Sequence, residues 1–145
     1  MLHLCLSRVN TCLLFAALVL TTTAFGKDGR NFGGQFNLAG VAEKGDYVQM
    51  TLALQIFNYS GAELKQAVVT LRESHPASTV IQIFDPIPAW AVDKSVTLTR
   101  QVTITRDEYL RWTASGQPNV SVAYRDAGGR QWEWTAQLNL RPTPF

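Results

Sequence analysis

Few side chains in this sequence could do covalent chemistry. The 145 residues include two histidines and two cysteines. Cys5, Cys12 and His3 all fall within the first 26 residues, so His75 is the one imidazole beyond them. Serine-based acyl transfer needs a nucleophile, a base and an orienting group brought together. Ser74 precedes His75 directly, but neighbours in an extended segment point to opposite sides. His75, beside Pro76, is therefore expected to be an exposed loop residue, and the hydrolase reading built on Ser74 and His75 is disfavoured. A zinc site wants several Cys or His ligands at close spacing, and the sequence offers none. Calcium wants clustered oxygens, whereas Asp85, Asp93, Asp107, Glu108 and Asp126 are scattered. Asp107 and Glu108 suit a helix N-terminus, where negative charge is favourable. Gly128-Gly129 has the character of a hairpin tip, not of a phosphate-cradling loop. These observations assign no catalytic residue, no metal ligand and no cofactor, and no enzymatic activity is expected.

Aromatic side chains offer a different chemistry, stacking on the flat faces of sugar rings or on a partner's side chains. Trp90 and Trp112 fall in connections between strands, where exposure is open. Phe57 and Tyr59 end the strongest strand on its outward parity. These four residues are the candidate binding set. Trp132 and Trp134 share a parity with Ala136, Leu138 and Leu140 and are expected in the core.

The elements that must position these residues begin with a segment that is not structural. Arg8 precedes an apolar run, Cys12 to Leu20, and small residues follow at Ala24 and Gly26. That order is the one found in a secretory signal peptide. The run is short of the about 20 residues a spanning helix needs. Residues 1–26 are therefore expected to be removed, by cleavage after Gly26 or after Ala24. A lipid anchor is disfavoured, because both cysteines stand before or at the start of the apolar run. The exported chain would hold no cysteine and no disulfide, and it would not insert in a membrane. Its charges nearly cancel and are interspersed, which argues against a nucleic-acid partner.

The remainder divides into a flexible lead-in at 27–34, a domain at 35–141 and a tail at 142–145. Gln35 to Val41 is expected to be a weak first strand at a sheet edge. In Tyr47 to Asn58, Val48, Met50, Leu52, Leu54 and Ile56 alternate with more polar residues, the period of a strand with one buried face. Ala67, Val69 and Leu71 alternate likewise, and Thr79 to Phe84 is a short apolar strand. Prolines at 86 and 88 interrupt the chain before an irregular connection through Trp90. Ser95 to Thr105 is a long strand with Arg100 on its apolar side, which requires either a bulge or an open stretch of core. Thr105 to Glu108 has the spacing of a capping box, announcing one short helical turn through Trp112. Val120 to Tyr124 and Trp132 to Leu140 form a hairpin about Asp126-Ala127-Gly128-Gly129.

About seven strands with no intervening long helices predict an all-β antiparallel sandwich with one short helical turn; a small barrel is the other possibility. The stretch from Asp46 to Leu71 adds a resemblance. An alternating strand, then Asn58-Tyr59-Ser60-Gly61, then a strand ending Val69-Thr70-Leu71 is similar to bacterial extracytoplasmic immunoglobulin-like and fibronectin-III-like domains. The resemblance implies an immunoglobulin-like sandwich and an adhesive, spacing or partner-binding role. It transfers no site residues, since such domains share no common site. Asn58-Tyr59-Ser60 and Asn119-Val120-Ser121 are also N-glycosylation sequons. The expected function is an exported, periplasmic or secreted module for protein–protein interaction or an accessory role in the cell envelope. Its expected partner is another envelope or secreted protein; a carbohydrate bound by exposed aromatics is the alternative.

Overall fold

The computed structural model describes residues 31–74, 79–114 and 116–140. The segment expected to be a signal peptide, His75 and the expected tail lie outside the described residues. The described chain is a two-layered, mostly antiparallel β-sandwich with one helix. Its elements are β1 (Phe32–Lys44), β2 (Tyr47–Asn58), β3 (Leu64–Arg72), β4 (Val80–Ile83), β5 (Ile87–Trp90), β6 (Ser95–Thr105), α1 (Arg106–Ala114), β7 (Asn119–Arg125) and β8 (Gln131–Leu140). One layer runs β8-β1-β2-β6. The other runs β4-β3-β7-β8, with β5 also paired to β3. Strand β8 belongs to both layers: Gln131–Ala136 pairs with β7, and Gln137–Leu140 pairs in parallel with β1.

Strand β2 occupies the residues that its alternation predicts. Val48, Met50, Leu52, Leu54 and Ile56 are fully buried. They pack toward Leu64, Ala67, Val69 and Leu71 of β3 and Val120 and Val122 of β7, all buried in the same core. Leu64 and Ala67 can share a face despite their odd spacing because β3 bulges there, with Gln66 at φ 50°.

The structure corrects the expected start of the domain. Phe32, Gly33 and Gly34 belong to β1, not to a flexible lead-in, and Phe32 packs against Trp90 and Tyr124. The expected edge position holds only in part: Gly33–Phe36 is interior, and beyond Phe36 the strand pairs with β2 alone among the described residues. The strand is thirteen residues long, and only its first part lies between β8 and β2. Gly34 permits that placement: a Cβ there would collide with the Gln55 carbonyl of the neighbouring strand. A bulge between Ala39 and Ala42, with Gly40 at φ 59°, then shifts the register against β2.

Eight strands form instead of about seven because Ile87–Trp90 pairs with β3, even with Pro88 inside it. Pro88 is tolerated because β5 lies on an edge, where an amide N–H is dispensable. The helix is nine residues long, about two and a half turns, and so exceeds the single turn expected. No bulge turns Arg100 outward, since the β2–β6 register is unbroken over eleven residue pairs. Arg100 instead lies where the core opens at the side of the sandwich, ion-paired with Asp85 at 2.9 Å.

Asn58 explains the Asn-Tyr-Ser-Gly sequence. Its side chain is fully buried. The amide Nδ2 donates to the carbonyls of Ala62, Trp90 and Ala91 at 2.9, 3.2 and 3.2 Å. Its Oδ1 accepts from the Ser60 backbone N–H at 3.0 Å and the Ser60 hydroxyl at 2.6 Å. One side chain thus joins the end of β2, the following turn and the connection after β5. A glycan on this nitrogen is incompatible with the fold, so the first sequon is structural. Replacing Asn58 with Ala is expected to lower unfolding stability by about 3 kcal/mol, since several buried polar groups lose their partner. Chemical denaturation followed by circular dichroism measures it; a loss below about 1 kcal/mol would contradict this role.

Candidate functional site

The four aromatic residues singled out by sequence divide into two groups. Trp90 and Trp112 are not exposed; their relative accessibilities are 1% and 0%. Trp90 belongs to β5, lies 5.6 Å from the Phe32 ring, and donates its indole N–H to the Lys94 carbonyl at 2.9 Å. Trp112 is on the inward side of α1, edge-on to Phe36 at 6.2 Å. Neither can stack on a ligand. Phe57 and Tyr59 are brought together, their rings parallel within 4° at 5.8 Å, and both are half-buried. Phe57 is flanked by Gly33 on β1, which has no side chain, and by the small Ser95 on β6, and together they leave room for the ring.

Trp112 is buried because Glu108 receives its N–H. The Glu108 carboxylate is itself fully buried and has four donors. Its Oε1 accepts from the Trp112 indole at 2.6 Å, the Ser74 hydroxyl at 2.7 Å and the Ser74 backbone N–H; its Oε2 accepts from Arg111 Nε at 3.0 Å. Half of the expected capping box forms, with Thr105 Oγ1 accepting the Glu108 N–H at 3.2 Å. The reciprocal half does not, because the glutamate turns into the core. The spacing Glu108, Arg111, Trp112 was the available signal, since residues three and four apart share a helix face. Ser74, the sequence's candidate nucleophile, is committed as a donor to this carboxylate. Burial pushes the Glu108 carboxyl up, but the donors from Ser74, Trp112 and Arg111 outweigh it and hold the group below its ordinary value.

The structure also corrects the expectation for Trp132 and Trp134. Both keep the inward parity, paired across the hairpin with Tyr124 and Val122. Trp132 is nonetheless only half-buried, and Trp134 is 39% exposed. Among the described residues, β1 pairs with β8 only from Gln137 onward, so the beginning of β8 has β7 as its one neighbouring strand. The result is an aromatic shelf at the end of the sandwich. The two indoles lie 6.3 Å apart and 18° from parallel, with the Arg130 guanidinium 4.5 Å from the Trp132 ring centroid. Asp126 accepts the Trp132 N–H at 2.9 Å and the Arg130 backbone N–H at 2.9 Å. The indole bond, foremost, with the Arg130 contacts holds its carboxyl below the ordinary range. Burial pushes the Tyr124 hydroxyl up.

A second surface is the edge of β6. This strand pairs with β2 alone, so its other side carries unpaired backbone N–H and C=O groups among the described residues. Elsewhere, a shallow hollow of about 260 Å³ lies among Asp46, Tyr47, Thr105, Arg106 and Asp107. Its one cation is already engaged, Arg106 binding Glu43 at 2.8 Å and the Gly45 carbonyl at 3.1 Å.

Fold and surfaces together define an all-β sandwich with an open strand edge and an aromatic shelf. No protein-family model and no curated protein matches the sequence. Solved structures similar to it include the GH20 exo-β-N-acetylglucosaminidase of Vibrio harveyi in complex with N-acetylglucosamine, 10% identical with a TM-score of 0.51. The inactive D437A mutant of that enzyme is 11% identical, again with a TM-score of 0.51. In both cases the match covers 80% of this chain and 19% of the enzyme. A protein from Archaeoglobus fulgidus matches at 11% identity with a TM-score of 0.28. At such identities the likeness to the Vibrio enzyme is one of β-rich fold alone, and this chain spans about a fifth of that enzyme's length.

The Glu108 geometry has a consequence in acid. Its folded-state value lies below the unfolded one, so ionised Glu108 stabilises the fold at neutral pH. That contribution fades as pH falls from the ordinary carboxylate value through the depressed folded one. Glu108→Gln is expected to cost about 1–3 kcal/mol near pH 7 and to flatten the acid side of the stability profile. Urea unfolding between neutral pH and the acid limit tests this; parallel profiles for the two proteins would contradict it.

Proposed function

We propose that the chain is an exported, immunoglobulin-like recognition module of the cell envelope, acting without catalysis through an unpaired strand edge. The observation behind this reading is β6. It offers eleven consecutive residues with no proline, bulge, lysine or acidic side chain. An edge of that length is a template for an added strand, and its one guarding charge, the inward-row Arg100, is paired with Asp85. The apolar run before Lys27 supports export, and the partner is another envelope or secreted protein. The exported protein, with Lys27 or Phe25 at its N-terminus by mass spectrometry, provides the test. A photoreactive benzoylphenylalanine placed at Gln101 of β6 should capture a discrete protein in the producing cell, whereas one at Gln131 of β8 should not. Absence of any adduct from β6 overturns the reading.

A carbohydrate-binding role is the second reading, and it moves from Trp90 and Trp112 to Trp132 and Trp134. The exposed, near-parallel indoles favour it, because sugar rings stack on aromatic faces. N-acetylglucosamine and its oligomers are a natural probe, given the Vibrio enzyme that shares the fold. Titration should quench tryptophan fluorescence, and Trp134→Ala should weaken binding by about tenfold or more. A titration that leaves the spectrum unchanged eliminates this ligand.

A further inference from the structure

We propose that the strand added to β6 is β6 of a second copy, giving a two-fold dimer with one sheet continuous across both chains. This rests on the reading of β6 as a recognition edge and names its partner.

The chain treats the two neighbouring edges on this side of the sandwich differently. The β4/β5 edge is made of two four-residue strands, with Pro86 between them and Pro88 inside the second. Short strands and prolines are ordinary ways to prevent edge pairing. On the same side of the molecule, β6 has none of these devices. It is straight, eleven residues long and in register with β2 throughout.

Its side chains suit pairing with themselves. The outward row is Ser95, Thr97, Thr99, Gln101, Thr103 and Thr105, all exposed and all uncharged. The inward row is Val96, Leu98, Arg100, Val102 and Ile104. Arg100 is the only charge on the strand, and Asp85 already neutralises it. An antiparallel pair of identical strands is self-complementary about a two-fold axis. With the axis at Thr99, Arg100 meets Leu98 of the second copy; with the axis at Gln101, it meets Val102. Both registers place hydroxyl or amide side chains opposite one another, a favourable cross-strand arrangement. Only the register centred on Arg100 brings like charges together.

Apolar surface flanks the edge as well. Val80 and Ile83 of β4, which passes close to β6, are 41% and 58% exposed. A strand docked on β6 would lie beside them and cover part of that surface. A foreign strand would find the same backbone groups but no charge by which to be selected. The uncharged row therefore favours the chain's own copy over a charged partner.

Sedimentation equilibrium of the purified protein tests this directly, and the expected result is a monomer–dimer equilibrium. Thr99→Lys/Gln101→Lys changes only solvent-facing side chains and sets like charges across either axis. It should weaken the dimer by about tenfold or more, with the monomer's circular dichroism unchanged. A cysteine at position 99 or 101, in a Cys5→Ser/Cys12→Ser background, should form a disulfide-linked dimer on mild oxidation. One at Thr51, on the same face of β2, should not. A dimer indifferent to the lysines, or one cross-linked equally well through Thr51→Cys, overturns the proposal. So does a monomer at all accessible concentrations. The in-cell capture at Gln101 separates the two claims. An adduct of twice the chain mass supports the dimer, an adduct of another mass leaves the recognition edge but removes the second copy, and no adduct removes both.

Discussion

Strand β2 is paired on both sides, to β1 and β6, over nearly all of its length. A strand so placed has no free edge, and its side chains alone decide which way it faces. Five of them on one side are apolar and fully buried. Covering that face requires a second layer, and β3 and β7 supply it. The remaining features of the domain are responses to this arrangement. Gly34 lets β1 come close enough to pair. Strand β8 crosses between layers and closes the side opposite β6. The side along β6 stays open, since β6 ends its layer.

Two buried polar side chains hold the periphery to that core. Asn58 joins the exit of β2 to the loop that leads into β6, and Glu108 joins α1 to the end of β3 through Ser74. A buried amide or carboxylate is costly unless its partners are all in place. Here every partner is a neighbouring turn, strand end, helix residue or indole. Such satisfied hubs specify one arrangement of the connections more sharply than apolar contact could. They also decide the fate of two tryptophans. Trp90 contributes a carbonyl to Asn58, and Trp112 gives its N–H to Glu108, so both rings are drawn inward and away from solvent.

Which surfaces stay open is determined by where the two layers fail to cover each other. At one end β8 extends past its cover among the described residues, leaving Trp132 and Trp134 partly open beside Arg130. Along one side β6 ends its sheet without a further strand. The adjacent edge of β4 and β5 is protected by brevity and proline. That contrast within one molecule makes the β6 edge a functional feature in the reading proposed above.

Much of the fold was legible in the sequence. Period-two alternation placed β2 and β6 to the residue, because a strand with one wet and one dry face must alternate. Turn chemistry at Asn58-Tyr59-Ser60-Gly61 and Asp126-Ala127-Gly128-Gly129 placed the connections, because those backbones need such residues. Thr105 announced the start of α1 as a helix cap. The inward turn of Glu108 was not announced, because a capping glutamate and a buried one share the same spacing. The site was legible only in part. Alternation assigns each side chain to a face of its strand, and it assigned Trp132 and Trp134 correctly in that sense. It cannot say whether an opposing layer extends far enough to cover the face, which is a matter of where β1 and β8 meet. Nor can local pattern show that the start of β1 lies inside its sheet, between β8 and β2, while β6 lies at the edge. Strand order comes from pairing between distant segments, and so the tertiary structure alone decided which edges were left free.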